Sequence, residues 1–193
     1  MTNVPILPKE AYLSQEWFNL EQELIFSNTW QFAGFMEDVS THGQYKAVVI
    51  GNHPIVIINN NGNLAAYHNL CRHRGTPLLE GSGTLTDFMT CPYHHWSYDL
   101  NGKLTGVPQR KDEFPNLDVD TICLHKASVE VWRSMLWVHT KPNAESAEKW
   151  FDQVLPNLGP HQPDKLQEYP EYSTRHEINA NWKIIGENIM SMF

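Results

Sequence analysis

Short runs of apolar and β-branched residues, separated by turn residues, dominate the chain from about residue 38 to residue 141. Gly51-Asn52-His53 separates two such runs, which is a hairpin signal, and Asn61-Gly62 and Asn101-Gly102 have the chemistry of tight turns. Because strands do not alternate with helices here, the pattern predicts an antiparallel β-sandwich or barrel. The predicted strands are 45–50, 54–58, 64–68, 88–90, 96–100, 127–132 and 135–140.

Before the β region, apolar residues recur at the spacing of an α-helix instead. Residues 1–13 contain two prolines and are expected to form an extended arm. Ser14 is a suitable N-cap for a helix that runs to about Asn28. The apolar positions that recur at helical spacing in this stretch are Trp17, Leu20 and Leu24.

After the β region, Asn143 is predicted to cap a helix that ends near Leu155. The proline-rich stretch 156–170 is expected to be a linker, and 171–178 a strand. Asn181 is expected to cap a last helix that has no stop signal, so we expect this element to continue in a longer parent protein. The residues predicted on one face of that helix are Trp182, Ile185, Ile189 and Met192.

Composition narrows the class of protein. The 193 residues include 41% hydrophobic and 19% charged side chains, which excludes a disordered chain. The net charge of −8, without a basic run, disfavours nucleic-acid binding. No apolar run approaches the ~18 residues of a membrane helix, and the N-terminus lacks the features of a secretory signal. We therefore expect a cytoplasmic protein that does not bind membranes.

Three cysteines and ten histidines provide the candidate chemistry. Two short stretches each pair one cysteine with one histidine, Cys71-x-His73 and Cys91-x2-His94, and both lie beside turn residues. We predict two tight loops that bring these four side chains to one metal centre. Cys123 lies in an apolar run and is expected to be a buried free thiol.

Two kinds of centre are compatible with four such ligands. A zinc finger groups its two cysteines together and its two histidines together, whereas each stretch here supplies one of each. A Rieske-type [2Fe-2S] cluster needs two thiolates on one iron and two imidazoles on the other. The order of the ligands favours the cluster, and a zinc-stabilised structural or binding module is the alternative.

The motif Cys71-Arg72-His73-Arg74-Gly75, together with Cys91-Pro92-Tyr93-His94-His95-Trp96, resembles the Rieske domain of Rieske non-haem iron, ring-hydroxylating oxygenases, in their large (alpha) subunit. The stretch 26–32 resembles the first helix of that family, and Asn181-Trp182-Lys183 with Glu187-Asn188 resembles the start of its catalytic domain. The resemblance implies four segments: an arm and helix at 1–37, a mainly β Rieske domain at 38–141, a helix and linker at 142–169, and a truncated start of an α+β catalytic domain at 170–193.

The sequence also departs from related patterns. The family usually has glycine after the second ligand histidine, where this chain has His95. High-potential Rieske proteins of respiratory complexes carry a disulfide at the positions of Thr76 and Tyr93, and a serine at that of Trp96. Donors aimed at cluster sulfurs raise the potential, so these differences imply a lower-potential centre in which Tyr98 is kept. The residues expected around the ligands are Arg74, Trp96 and Tyr98.

The resemblance implies an electron-transfer role within an oxygenase. Electrons would arrive from an NAD(P)H-dependent reductase or a ferredoxin, for which Arg72 and Arg74 are candidate docking residues. A mononuclear Fe(II) in the complete protein would activate O2 as a mono- or dioxygenase, in a homotrimer or alpha-beta hetero-oligomer. We expect this chain to lack that iron site. Within the chain, the candidate catalytic residues are Asn188 and Glu187. Ser191 stands where the family often has a bridging acidic residue. A stand-alone Rieske ferredoxin-like carrier is the other alternative.

Overall fold

The computed structural model describes residues 7–174 and 176–190, and β-strands form its centre. A seven-stranded sheet has the order β1-β10-β9-β4-β3-β2-β5 and a three-stranded sheet the order β6-β7-β8, with antiparallel pairing throughout the recorded ladders. The predicted mainly β, antiparallel class is therefore confirmed. The strands are β1 (Gln31–Phe35), β2 (Gln44–Ile50), β3 (His53–Asn60), β4 (Asn63–His68), β5 (Ser82–Thr84), β6 (Phe88–Thr90), β7 (Ser97–Asp99), β8 (Leu104–Gly106), β9 (Lys126–Trp132) and β10 (Met135–His139).

β3 is the strand on which the two halves of the core meet. Val56 and Ile58 point into a core cluster that also contains the cysteines of both Cys-His stretches. Ile55 and Ile57 point the other way, into a cluster built with β10. All four side chains are fully buried, each contributing roughly 1.5–3 kcal/mol of hydrophobic free energy. Side chains of β3 alternate between the two faces of the sheet, and the face that carries Val56 and Ile58 supports the candidate metal centre.

The predicted hairpin at Gly51-Asn52 is confirmed, because β2 and β3 pair with Ile50 opposite His53. The assignment of 26–32 to a helix is wrong at its end. Phe32 lies on β1, which pairs with β10 and bends at Gly34, a residue with a φ of +138°. β1 also precedes the domain boundary predicted at residue 38.

The N-terminal cap is confirmed. The Ser14 side chain accepts a hydrogen bond of 3.2 Å from the backbone N–H of Trp17, and α2 (Gln15–Glu21) follows and continues as a π-helical turn (Gln22–Phe26). The prediction of an extended arm over residues 1–13 is wrong in part, because α1 (Glu10–Leu13) forms within it.

Further along the chain, α3 (Arg110–Glu113) lies between β8 and β9. The helix predicted from Asn143 starts later, as α4 (Ala147–Phe151), because the Ser146 side chain caps it by accepting from the Lys149 N–H. Asn143 instead adopts a left-handed φ of +57°. Among the described residues of 171–178 no strand forms, and the chain makes a 3-10 turn at Pro170–Tyr172.

The last helix is α5 (Trp182–Met190), and the Asn181 side chain accepts from the Lys183 N–H at 3.2 Å, as expected for its cap. Ser191 and Met192 lie outside the described residues. Within the described ranges, no helix is both long enough and apolar enough to cross a lipid bilayer.

A buried ion pair joins the two ends of the described chain. Lys183 Nζ lies 2.5 Å from Glu21 Oε1, and Trp182 Nε1 donates to Glu21 Oε2 at 2.9 Å. The two charged side chains are only 9% and 6% exposed. Their positions on α5 and α2 mean that this pair fixes the start of α5 against the N-terminal helix.

We predict that Lys183→Ala destabilises the fold by about 3 kcal/mol, because it leaves the buried Glu21 carboxylate without its cationic partner. The matched control is Lys149→Ala, which removes an exposed ion pair with Glu145 and should change stability little. Urea unfolding of the three proteins measures the difference. Equal free energies of unfolding for the two variants would contradict the structural role of the pair.

Candidate metal centre

The two Cys-His stretches form two loops with the same backbone hydrogen bonds. In the first loop, the Cys71 N–H donates to the Thr76 carbonyl and the Gly75 N–H donates to the Cys71 carbonyl, both at 2.8 Å. A β-bridge between Leu70 and Pro77 closes its base. The backbone thus turns back on itself between Cys71 and Thr76.

The second loop repeats this arrangement. The Cys91 N–H donates to the Trp96 carbonyl at 2.8 Å, and the His95 N–H donates to the Cys91 carbonyl at 3.0 Å. Pairing of Thr90 with Ser97, the ends of β6 and β7, closes the base. The sequence predicts two tight loops, each with one cysteine and one histidine, and the structure adds that their backbone hydrogen bonds are equivalent.

Both loops need a left-handed residue at the same position. Gly75 has a φ of +71° and His95 a φ of +57°. Glycine adopts this conformation without strain, and histidine is among the side chains that tolerate it best. The loop therefore keeps its shape despite His95, and this explains how the sequence departs from the usual glycine without losing the turn.

A buried amide secures the first loop to the core. The Asn69 side chain is 3% exposed, and its Oδ1 accepts from the N–H groups of Leu78 and Leu79, each at 3.1 Å. Its Nδ2 donates to the Leu79 carbonyl at 2.7 Å. These bonds satisfy the backbone groups that follow the loop and hold both of its ends in one position.

The imidazoles of the two loops meet. The ring centroids of His73 and His94 lie 4.6 Å apart, with a 65° angle between the ring planes. Trp96 stacks on His73 at 4.9 Å and 8°, and Tyr93 covers His94 at 3.8 Å. The aromatic neighbours therefore fix the plane of each imidazole, as a ligand position requires.

The Nδ1 atom of His73 is buried and has no hydrogen-bond partner. A buried nitrogen without a partner is costly unless something else binds it, and a metal ion is such a group. Burial lowers the pKa of His73, and the charges of His94 and Arg74 lower it further. The neutral imidazole, which is the metal-binding form, is therefore favoured at this position.

The thiols of Cys71 and Cys91 are 3% and 1% exposed. The Tyr98 hydroxyl accepts from the Arg72 N–H at 2.9 Å and lies 3.3 Å from Cys71 Sγ, so its own hydrogen is available to the sulfur. Burial raises the pKa of Tyr98, which keeps this hydroxyl protonated at neutral pH. Tyr98 is thus placed to donate a hydrogen bond to a thiolate at position 71.

Burial raises the pKa of the Cys71 thiol, and the neighbouring Cys91 raises it further, while the hydroxyl of Tyr98 and the backbone of His73 oppose the shift. For the Cys71 thiol to ionise in this buried position, beside the buried Cys91, a compensating positive charge is needed. A cationic iron centre supplies that charge, because metal-bound thiols are deprotonated.

A single metal ion fits this geometry less well than a cluster. Among the residues that the structure describes, no group of three or more His, Cys, Asp or Glu side chains is arranged to hold one metal ion. A structural zinc site requires four ligands on one ion, whereas a [2Fe-2S] cluster needs two protein ligands for each iron. Two buried thiols and two neighbouring imidazoles supply the sulfur and nitrogen ligands that such a cluster needs.

The other predicted residues lie around or away from the loops. Arg72 and Arg74 are exposed, and the Arg72 guanidinium contacts His125. On α5, Glu187 accepts a hydrogen bond from the Tyr12 hydroxyl, and the neighbouring Asn188 is exposed. Tyr12, the partner of Glu187, lies on α1 and not on either loop.

The expectation of a buried Cys123 is wrong, because its thiol is exposed. Cys123 forms an isolated β-bridge with Lys103, and its neighbour Leu124 is buried. Successive side chains of extended backbone point to opposite sides, so the burial of Leu124 turns Cys123 outward.

Phe114 is a neighbour of the site that the sequence analysis missed. Its ring centroid lies 5.8 Å from that of His73 and 5.7 Å from that of Trp96, perpendicular to both within a few degrees. It follows a charged segment, Arg110–Glu113, and precedes a proline, so no periodic pattern marks it as buried. The contact depends on the path of the chain between β8 and β9.

Comparison with known proteins agrees with this geometry. Residues 29–122 match the protein family described as "Rieske [2Fe-2S] domain". The glycine betaine monooxygenase oxygenase subunit of Chromohalobacter salexigens is 30% identical over 183 residues, which cover 94% of this chain and 40% of that protein. The chain therefore spans less than half of the length of this relative.

Solved structures show the same similarity. The apo crystal structure of the quaternary ammonium Rieske monooxygenase CntA superposes with a TM-score of 0.82 at 30% identity, covering 96% of this chain and 54% of that one. A naphthalene 1,2-dioxygenase structure gives a TM-score of 0.69 at 26% identity over 75% of this chain and 33% of that one.

We predict that Tyr98→Phe lowers the midpoint potential of the bound cluster by about 40 mV, because a lost hydrogen bond is worth about 1 kcal/mol and this bond stabilises the more negative, reduced state. Tyr93→Phe is the control, since it keeps the ring over His94. Spectroelectrochemical titration measures both potentials. A Tyr98→Phe potential equal to that of the wild type would contradict a hydrogen bond from Tyr98 to the cluster sulfur.

Proposed function

We propose that this chain is the electron-transfer portion of an oxygenase subunit, because residues 29–122 match the Rieske [2Fe-2S] domain family and most of the chain is similar to oxygenase subunits. We assign Cys71 and Cys91 as the ligands of one iron and His73 and His94 as the ligands of the other. The observation that supports the proposal is that the two hydrogen-bonded loops bury both thiols in one core cluster and bring the two imidazoles to a ring-centroid distance of 4.6 Å.

A bound [2Fe-2S] cluster supplies a one-electron redox couple. The residues of the chain determine how that couple is held and tuned. The buried cysteines provide the anionic ligands, and the neutral histidines add no further negative charge at the other iron, which raises the potential above that of a cluster with four thiolates. Trp96 fixes the plane of His73, and Tyr98 donates toward Cys71 Sγ.

The electron donor in this proposal is an NAD(P)H-dependent reductase or a ferredoxin. Arg72 and Arg74 are exposed beside His73 on a chain whose net charge is −8. They provide a local positive charge for an acidic donor, so the rate of reduction should fall as ionic strength rises.

The complete oxygenase would use a mononuclear Fe(II) held by residues outside those assigned here. The monooxygenases in the comparison favour a monooxygenase over a dioxygenase, and their names favour a quaternary ammonium substrate. A solved structure of such an enzyme describes inter-subunit electron transfer, which supports a multi-subunit assembly. In this proposal, Glu187 and Asn188 lie on the helix that begins the catalytic region.

The full-length oxygenase, supplied with reductase and NADH, should convert glycine betaine or carnitine and leave naphthalene unchanged. Product analysis by mass spectrometry tests this assignment. Oxidation of naphthalene, without turnover of either quaternary ammonium compound, would overturn this assignment in favour of a ring-hydroxylating oxygenase.

The oxygenase proposal accounts for more of the chain than a stand-alone carrier does. The family match ends at residue 122, but the similarity to oxygenase subunits extends over 94–96% of the chain. α5 and its buried ion pair with α2 lie in this additional part. An electron carrier needs neither of them.

We predict that His94→Ala abolishes the EPR signal of the reduced cluster, because one iron loses a ligand. His95→Ala is the matched control at the adjacent position. It removes an imidazole but keeps His94, so the signal should persist. In the same samples, a reductase with NADH should bleach the visible absorbance of the wild type and of His95→Ala but not of His94→Ala.

A lost signal in His95→Ala with a retained signal in His94→Ala would overturn the ligand assignment. His95→Gly separates ligation from backbone effects, since glycine suits the left-handed φ at this position. This variant should retain the cluster and be at least as stable as the wild type.

A further inference from the structure

The segment between β8 and β9 lies outside both sheets, yet its apolar side chains return to the core beneath the ligand loops. It contains α3 and a 3-10 turn at Val119–Thr121. The core cluster against which it packs includes Cys71, Cys91 and Trp96. The partly buried residues that make this contact from the segment are Val107, Phe114, Leu117, Val119 and Ile122.

Phe114 extends this packing to a proposed ligand. Trp96 lies parallel to His73, and Phe114 stands at 86° to both rings, with centroid distances of 5.7 Å and 5.8 Å. His94 approaches His73 at 4.6 Å. The His73 imidazole is thus bounded by three rings, and perpendicular contacts of this kind are favourable beyond the area that they bury.

The backbone holds Phe114 in place without help from the metal site. The Phe114 N–H donates to the Arg110 carbonyl at 2.9 Å, and the Leu117 N–H donates to the Phe114 carbonyl at 3.0 Å. The Arg110 guanidinium donates to the Leu117 carbonyl at 2.9 Å and closes the turn. The ring is therefore presented to His73 by a segment with its own hydrogen bonds.

We propose that Phe114 is a positioning residue for His73, which fixes the orientation of the imidazole and keeps water from that side of the cluster. This inference rests on the proposed function, since it concerns the cluster that His73 helps to hold. A centre with two thiolates and two neutral imidazoles is formally neutral when oxidised and carries one negative charge when reduced. A dry surrounding disfavours the charged state, so the Phe114 ring should lower the potential.

The test uses Phe114→Ala and Phe114→Leu in the 193-residue chain, with Phe88→Ala as the matched control. Phe88 is 53% exposed on β6, where its neighbour Met89 takes the buried position. Phe114→Ala should shift the reduction equilibrium at least threefold toward the reduced state, about 28 mV for a one-electron couple. Phe114→Leu should fall between Phe114→Ala and the wild type, and Phe88→Ala should match the wild type.

A second readout reports water directly. In D2O, the deuterium modulation in the pulsed EPR of the reduced cluster should grow in Phe114→Ala and stay unchanged in Phe88→Ala. If Phe114→Ala does not retain a cluster, Phe114→Leu decides by the same two criteria.

The inference would be overturned if the Phe114 variants had the potential and the deuterium modulation of the wild type and only a lower unfolding midpoint. Phe114 would then contribute to core packing alone. A wild-type chain that binds no cluster would instead remove the proposed function, and this inference with it. The two failures are therefore distinguishable.

Discussion

The hydrogen bonds that each loop cysteine makes through its own backbone are the constraint on which the rest of the site depends. In both loops the cysteine N–H and carbonyl are bonded to residues a few positions later, so the chain must turn back at once. The imidazoles of the two loops come to a ring-centroid distance of 4.6 Å, and the cysteines of both loops lie in one core cluster. Without the second copy of the turn, either loop would hold only half of the ligands that a [2Fe-2S] cluster requires.

Contacts with the surrounding fold offset the free-energy cost of this arrangement. Burying two thiols and the Nδ1 atom of His73 is unfavourable unless these atoms are bonded, and this nitrogen has no hydrogen-bond partner. β3, buried on both faces, forms the floor, and the amide of Asn69 and the hydroxyl of Tyr98 anchor the first loop. The hydrophobic core therefore holds the site in shape before a cluster binds. The polar atoms that still lack partners there are suited to bind a cluster.

The sequence predicted the parts of this site that depend on local spacing. The two Cys-His stretches, the hairpin at Gly51-Asn52 and the Ser14 cap are each determined by residues a few positions apart. It did not predict features that depend on tertiary contacts. β1 takes its strand conformation from pairing with β10, and Phe114 reaches His73 only because a distant segment folds back. Ser146 displaced Asn143 as a helix cap because several polar residues compete for that role.

Metal and sulfide analysis of the purified chain distinguishes a [2Fe-2S] cluster bound by Cys71, His73, Cys91 and His94 from a zinc ion bound by the same residues. After anaerobic purification, we expect about two iron atoms and two acid-labile sulfides per chain. After reduction with dithionite, we expect the EPR spectrum of a reduced cluster with mixed sulfur and nitrogen ligation. Stoichiometric zinc without acid-labile sulfide would instead show that the same four residues belong to a zinc-stabilised module.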